Sequence, residues 1–272
     1  MSIQTRRGTA ELQGRLWSER SADWAEYQER YMSPAYTAAL DSLAVGEGTR
    51  LLDVGCGAGL ALRLAADRGA DVAGLDAANG MLVHARRRVP GATIAEGDLE
   101  WLPFDDDSFD AVTGFNSFQY AADPVRALQE ARRVVAPGGR ILALVWSPPE
   151  MCELAPHLRS LGALMPPPPP GSPGPFALST GEALRELFDR AGLDVDDITD
   201  VECRFAYPDT ATAIAALSSA GPVVRVAEHA GTDAVRADIE AFLAANVLPD
   251  GSYDIRNPFR IAISRPTAAG GS

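Results

Sequence analysis

Between Leu51 and Gly59 the chain reads LLDVGCGAG, and this stretch limits the possible folds more than any other. An apolar run broken only by Asp53 enters Gly55, Gly57 and Gly59, and Leu60, Leu62, Leu64 and Ala65 then recur at helical spacing. That pattern predicts a buried strand, a tight turn and a helix over 58–69. Glycine lets backbone amides approach a ligand closely, and a helix start favours negative charge. Taken alone, the triplet also fits a purely structural turn.

The following residues repeat the unit. Strands are expected at 71–76 (DVAGLD), 92–98 (ATIAEGD), 109–115 (FDAVTGF) and 140–146 (RILALVW), with helices at 78–88 and 123–135, the latter ending at the breaker APGG. Alternating strands and helices argue for an α/β fold with a parallel sheet covered on both faces. Such sheets bind ligands at the carboxyl ends of their strands, beside the switch point. Outside this block, residues 1–45 are helical and aromatic. PPPPPGSPGP (166–175) reads as a polyproline loop, with a proline-rich ligand for another protein as the functional alternative. A capped helix is expected at 179–193, a strand at 200–208, helices at 210–219, 222–229 and 232–246, and a closing strand at 257–265.

Composition removes several function classes. All 24 basic side chains are arginine, so there is no lysine for a phosphate-binding Walker loop or a Schiff base. A formal charge of −13 repels a phosphate backbone, and nucleic acid is not expected as a partner. The opening MSIQTRRGTAELQGRLW has no signal-peptide pattern and no run reaches membrane-spanning length, so a cytoplasmic protein without a membrane partner is expected. Cys56, Cys152 and Cys203 are too few and too scattered for a disulfide framework and are expected to be buried thiols.

The turn is not the dinucleotide fingerprint. Gly55-Cys56-Gly57-Ala58-Gly59-Leu60 reads G-x-G-x-G, with Leu60 where G-x-G-x-x-G/A requires a small residue. Asp76 nevertheless ends the second expected strand, 76 − 55 = 21 residues after the first glycine, where a carboxylate can accept from both hydroxyls of a ribose. Asp98 ends the third, where a carboxylate can take the exocyclic amine of an adenine. Two acids after adjacent strands suit an adenosine without a pyrophosphate.

In order along the chain, LLDVGCGAG, VAGLDAANGML and EGDLEWLPFDDDSFDAVTGFNSFQYAADPVRALQEARRVVAPGGRIL resemble the successive motifs of class I S-adenosylmethionine-dependent methyltransferases. The nearest group is the one that includes ubiquinone- and menaquinone-biosynthesis enzymes and many small-molecule methyltransferases. The resemblance covers residues 50 to 147 densely and the two ends less distinctly. It implies a Rossmann-like, doubly wound, seven-stranded sheet, mostly parallel with an antiparallel last strand, plus a helical lid. The domains would be a lid over 1–45, a cofactor-binding core over 46–147, and a completion of the sheet over 148–272 with acceptor-binding insertions at 148–178 and 206–250.

The resemblance also implies S-adenosyl-L-methionine as cofactor and assigns residues to it. Gly55, Gly57 and Gly59 would pass under the methionine part, with Asp53 organising the turn and the cofactor's amino group. Asp76 would hold the ribose, Ala77 and Met81 would line the adenine, and Asp98 with the Leu99 amide would read its edge. Phe115 and Asn116 would face the methionine end, and Trp24 would close over the cofactor, although ordinary helix packing explains Trp24 as well. A sulfonium cation suits aromatic faces, a contact worth about 0.5–2 kcal/mol.

The acceptor is less defined. The outer segments are rich in Pro, Ala, Leu, Met and Phe, which suits a small, largely apolar or aromatic molecule, and a specialised metabolite is expected. His157 is the expected candidate base, with Tyr27, Tyr31 and Tyr120 as alternatives. NSFQY after the fourth strand offers no carboxylate pair, so no metal is expected; the oligomeric state is open. A protein of this fold that binds the cofactor for non-methylating chemistry such as cyclisation stays open as an alternative. A nicotinamide-dependent oxidoreductase is opposed by Leu60 and by the missing Tyr-x-x-x-Lys pair.

Overall fold

A computed structural model describes residues 8–167 and 174–267. The residues 168–173 of the expected polyproline loop therefore lie outside the described residues. Among the described residues seven strands, β1 (Arg50–Val54), β2 (Asp71–Asp76), β3 (Thr93–Glu96), β4 (Phe109–Phe115), β5 (Val135–Trp146), β6 (Leu193–Tyr207) and β7 (Tyr253–Pro266), form one sheet in the order β3-β2-β1-β4-β5-β7-β6. β1 to β5 pair in parallel, while β7 runs antiparallel to both β5 and β6. The expected Rossmann-like, doubly wound sheet with one antiparallel strand is what the chain forms. The chain reverses its direction of strand addition between β1 and β4, which opens a crevice at their carboxyl ends.

The apolar runs give these strands because both faces are covered. On one side α3 (Ser33–Ser42), α4 (Leu60–Ala66) and α5 (Asn79–Arg88) bury Leu40, Leu62 and Leu82 against Leu51 and Val72. On the other, α6 (Pro124–Val134) and α8 (Gly181–Arg190) bury Leu128, Ala131, Leu184 and Phe188 against Val112 and Ile141. Capping follows the sequence: Asp123 accepts from the amides of Val125 and Arg126 at the start of α6, and Thr180 accepts from Ala183 at the start of α8.

A third cluster joins the two ends of the chain to the middle. Met32, Phe115, Leu154, Leu217 and Ile263 share it, so the N-terminal helices and the later insertions pack on one core. The N-terminal part comprises α1 (Ala10–Glu19), α2 (Ser21–Asp23), a π-helical turn (Trp24–Gln28), a 3-10 turn (Glu29–Met32) and α3. The later helices are α7 (Ala155–Ala163), α9 (Thr210–Leu217), α10 (Gly221–Ala230) and α11 (Thr232–Ala244). No single helix among the described residues is long and apolar enough to cross a membrane.

Helix α7 is not among the expected helices, β7 starts at Tyr253 rather than at 257, and two further differences have a clear physical reason. β5 begins at Val135 rather than at 140, because APGG is absorbed as a bulge: Val135 pairs with Phe109, the register shifts, and pairing resumes at Arg140 with Ala111. β6 begins at Leu193 rather than at 200. Its acid-rich first half lacks an apolar alternation because it is the outer strand, and arginines of β7 hold it, with Asp200 bound to Arg260 at 2.8 Å and Asp196 to Arg265 at 3.1 Å. Charged side chains on an edge strand also discourage pairing with another chain.

Phe259 in the middle of β7 is fully buried, and its ring lies 4.5 Å from that of Trp146. Phe259→Ala is expected to lower stability by about 3–5 kcal/mol, read as a lower urea midpoint with an unchanged slope.

Candidate active site

The loops after β1, β2, β3 and β4 converge on one cleft of about 910 Å³ including its mouth. The turn after β1 is fastened to β2 by its backbone: the amides of Gly55 and Cys56 both donate to the carbonyl of Leu75, at 2.7 and 3.0 Å. Two glycines there cannot be replaced. Gly55 has φ +79° and a Cβ on it would lie 2.4 Å from the Ser117 Cβ, while Gly59 has φ +83° and its Cβ would lie 2.9 Å from the backbone of Ala85. Gly57 differs, since a Cβ on it would meet only Glu29 Oε1, at 3.9 Å. Space is thus left open above Gly57, on the side of the cleft.

Asp76 ties the turn to the next loop. Its Oδ2 accepts from the Gly57 amide and its Oδ1 from the Ala78 amide, each at 2.8 Å. Burial pushes its carboxyl up, and these amide bonds oppose that shift. Asp98 Oδ1 accepts from the Glu100 amide at 3.0 Å, and Glu100 reaches across to the amides of Ala122 and Asp123, at 2.7 and 3.1 Å. The loop after β3 is therefore locked to the loop before α6. Asn116, directly after β4, has φ +52°, an uncommon conformation of the kind concentrated at functional sites. Beside it the Ser117 hydroxyl is buried without a partner.

Helix α1 and the turns after it roof the cleft. Gly14 lets α1 approach the loop after β2 so closely that a Cβ would lie 2.3 Å from the Ala77 carbonyl oxygen. The Thr9 hydroxyl donates to the Tyr120 carbonyl, and the Trp17 ring stands edge-on to Trp24 at 5.0 Å and to Tyr120 at 5.9 Å. At the far end Tyr36 packs on Phe115 at 4.6 Å.

Most sequence-predicted positions meet in this cleft: Trp24, Asp53, Gly55, Gly57, Asp76, Ala77, Met81, Asp98, Leu99, Phe115 and Asn116 all line it. Gly59 does not line it and acts beneath, as the left-handed entry to α4. His157, the expected candidate base, is not brought to the cleft. It is buried on α7, where its Nδ1 lies 2.8 Å from Asp238 on α11 and its ring stacks on Phe242 at 5.1 Å. The reason is local, since Ala155, His157 and Leu161 form the buried face of α7 and that face packs on the helical insertion. Of the alternatives, Tyr27 and Tyr31 do not line the cleft; Tyr120 does, and burial pushes its hydroxyl up to about 12.

Sequence reading missed Trp17, Glu29, Met32, Tyr36 and Ser117, which also line the cleft. Glu29 carried no local signal, because its partners are the Leu60 amide and Arg88, far along the chain. Among the described residues no three metal-ligand side chains gather.

With this geometry in view, residues 52–143 match the family model described as a methyltransferase domain. A demethylmenaquinone methyltransferase of Beutenbergia cavernae is 39% identical over 112 residues, covering 41% of this chain and 47% of that protein. The chain thus spans about half the length of the curated relatives it matches. Among solved structures, a chain of a Haloferax volcanii complex between a methyltransferase activator and a putative methyltransferase superposes with TM-score 0.61 at 22% identity, covering 97% of this chain and 100% of that one. A putative methyltransferase from Bacillus halodurans gives 0.57 at 17% identity, covering 85% and 99%. Residues 52–143 are thus similar to a methyltransferase domain, and the curated relatives aligned with this region are named as demethylmenaquinone methyltransferases. The cofactor that such a domain implies is S-adenosyl-L-methionine.

The residues present fit that cofactor. It carries a sulfonium cation and no phosphate, and the cleft has carboxylates, aromatic faces and the open space above Gly57, with no lysine or arginine among its described lining residues.

Asp53 tests the electrostatics of this cleft. Burial pushes its carboxyl up to about 7, against the Thr113 hydroxyl that donates to it at 2.8 Å, and Asp76 and Glu29 add to the rise. The folded protein therefore holds a proton at Asp53 at pH values where the unfolded chain, with a carboxyl near 4, has lost it. Stability from this group is present below pH 4 and is lost as pH rises toward 7, by roughly 1.4 kcal/mol per unit. Asp53→Asn is expected to flatten that loss, so that urea unfolding of variant and parent diverges between pH 5 and pH 7.5 in the variant's favour.

Proposed function

We propose that this chain transfers a methyl group from S-adenosyl-L-methionine to a small, largely apolar or aromatic acceptor. The observation that carries the reading is the cleft itself: Asp76, Asp98 and the open backbone at Gly57 lie along one wall, and Trp17, Trp24, Tyr36 and Phe115 supply the aromatic surface. When bound, the cofactor supplies an electrophilic methyl on a sulfonium.

In this reading Asp76 takes the ribose hydroxyls, because its amide bonds leave a lone pair on each oxygen. Ala77, Met81 and Leu99 flank the adenine, and Asp98 accepts at its edge. Asn116 and Phe115 bound the reacting end, with the Asn116 amide held to the Leu144 carbonyl at 2.8 Å. Methyl transfer is an in-line displacement, so holding acceptor and methyl in line contributes up to about 7–11 kcal/mol of barrier reduction. The roof of α1 and the two tryptophans keeps water out, which strengthens the carboxylates' hold on a cation. No base at the cleft is required for an acceptor whose nucleophile is already deprotonated at neutral pH.

The acceptor end, at Met32, Tyr36 and Phe115, favours a flat apolar ring. The relatives named as demethylmenaquinone methyltransferases support a quinol-type acceptor.

Calorimetric titration with S-adenosylmethionine, S-adenosylhomocysteine and NAD tests the site. Heat from the two sulfur ligands and none from NAD is expected, with affinity reduced at least about tenfold in Asp76→Ala, the value of a charge-assisted hydrogen bond. Transfer of labelled methyl to quinols and other aromatic small molecules then tests the reaction. Binding without transfer to any of them would leave a cofactor-binding protein of other chemistry.

A further inference from the structure

Resting on the reading of the cleft as a cofactor site, the geometry points to Glu29 as the group that binds the α-ammonium of the cofactor's methionyl part, with Arg88 as the positioning residue behind it. Glu29 lies on the 3-10 turn of the N-terminal segment, outside the matched domain. Its side chain is only 3% exposed, yet it lines the cleft. Its two oxygens have different tasks. Oε2 accepts from Arg88 Nη1, and the same nitrogen donates to the Ala58 carbonyl at 2.9 Å, while Arg88 itself does not line the cleft. Oε1 faces the turn, accepting from the Leu60 amide at 3.2 Å and standing 3.9 Å from where a Cβ on Gly57 would be.

One oxygen is thus pinned from behind, and the other is presented over the open backbone that the resemblance assigns to the methionine part. A carboxylate oxygen accepting one amide retains capacity for a second donor. No cation among the described lining residues competes for it. Asp53 also lines the cleft and is the rival that the resemblance names for the amine, but its Oδ1 accepts from Thr113 with no arginine among the described residues behind it, and burial pushes its carboxyl up to about 7, whereas Glu29 is backed by Arg88. Burial raises the Glu29 carboxyl and Arg88 opposes that rise, so Arg88 helps keep it charged. The amine would then fasten the N-terminal segment to the glycine turn through Glu29.

The test is a calorimetric comparison of three ligands on parent and Glu29→Gln: S-adenosylhomocysteine, its deaminated analogue with the carboxylate retained, and 5′-methylthioadenosine, which lacks the whole amino-acid part. Glutamine keeps an oxygen for the Leu60 amide and removes the charge. Expected is a loss of about 10- to 100-fold for S-adenosylhomocysteine, with the other two changed by less than about threefold. Equal weakening of all three ligands, or no weakening of the first, overturns the inference, as does a matching amine-dependent loss in Asp53→Asn with none in Glu29→Gln. Should the variant fail to fold, the parent decides: equal affinity for S-adenosylhomocysteine and its deaminated analogue overturns the assignment, and a tenfold preference for the amine, as expected of a charged hydrogen bond, supports it. A parent that binds none of the three removes the reading of the cleft, and this inference with it.

Discussion

Everything at the site depends on a short set of backbone bonds between the end of β1 and the end of β2. The Leu75 carbonyl takes two amides of the glycine turn, and Asp76, the next residue, takes a third from Gly57. One strand end therefore shapes the turn and also carries an acid that lines the cleft. The parallel pairing of β1 with β2 fixes this arrangement, because Val54 lies opposite Leu75 in the register. A slip by one residue would move Asp76 to the other face of the sheet and leave the turn without its partner.

The same constraint explains the charge of the cleft. Asp53, Asp76 and Glu29 are all buried near the turn, and burial raises each of them. Carboxylates crowded in this way cost stability, and proteins retain such arrangements where function uses them. A cation offsets their repulsion, and the described lining residues supply none. A lining of acids with no cation among its described residues disfavours a phosphate.

Much of this was legible in the sequence because it is local. The glycine turn, the acids at 76 and 98 and the alternation of strands and helices are short-range patterns, so both the sheet and one wall of the cleft could be read. The failures share a cause in long-range packing. Glu29 has its role through Leu60 and Arg88, and Trp17 through Tyr120. His157 was expected at the cleft from its place after β5, but the buried face of α7 turns it toward Asp238. The first half of β6 was missed because an edge strand paired through arginines has no apolar period. APGG carries a real break signal, which here bends a strand without ending it.

The roof of the cleft is built from the beginning of the described chain, and its fastenings lie far downstream. Thr9 is bound to Tyr120 across 111 residues, Gln28 to Tyr207 across 179, and Arg15 to Glu228 across 213. During synthesis these helices emerge before any surface exists for them to cover, so their anchoring waits for the sheet and then for the last helices. Helix α1 also packs on α5 and α10, so the roof is set once early and late parts of the chain meet on one core. Covering the cleft is therefore a late step of assembly: a segment made before the sheet takes its place last.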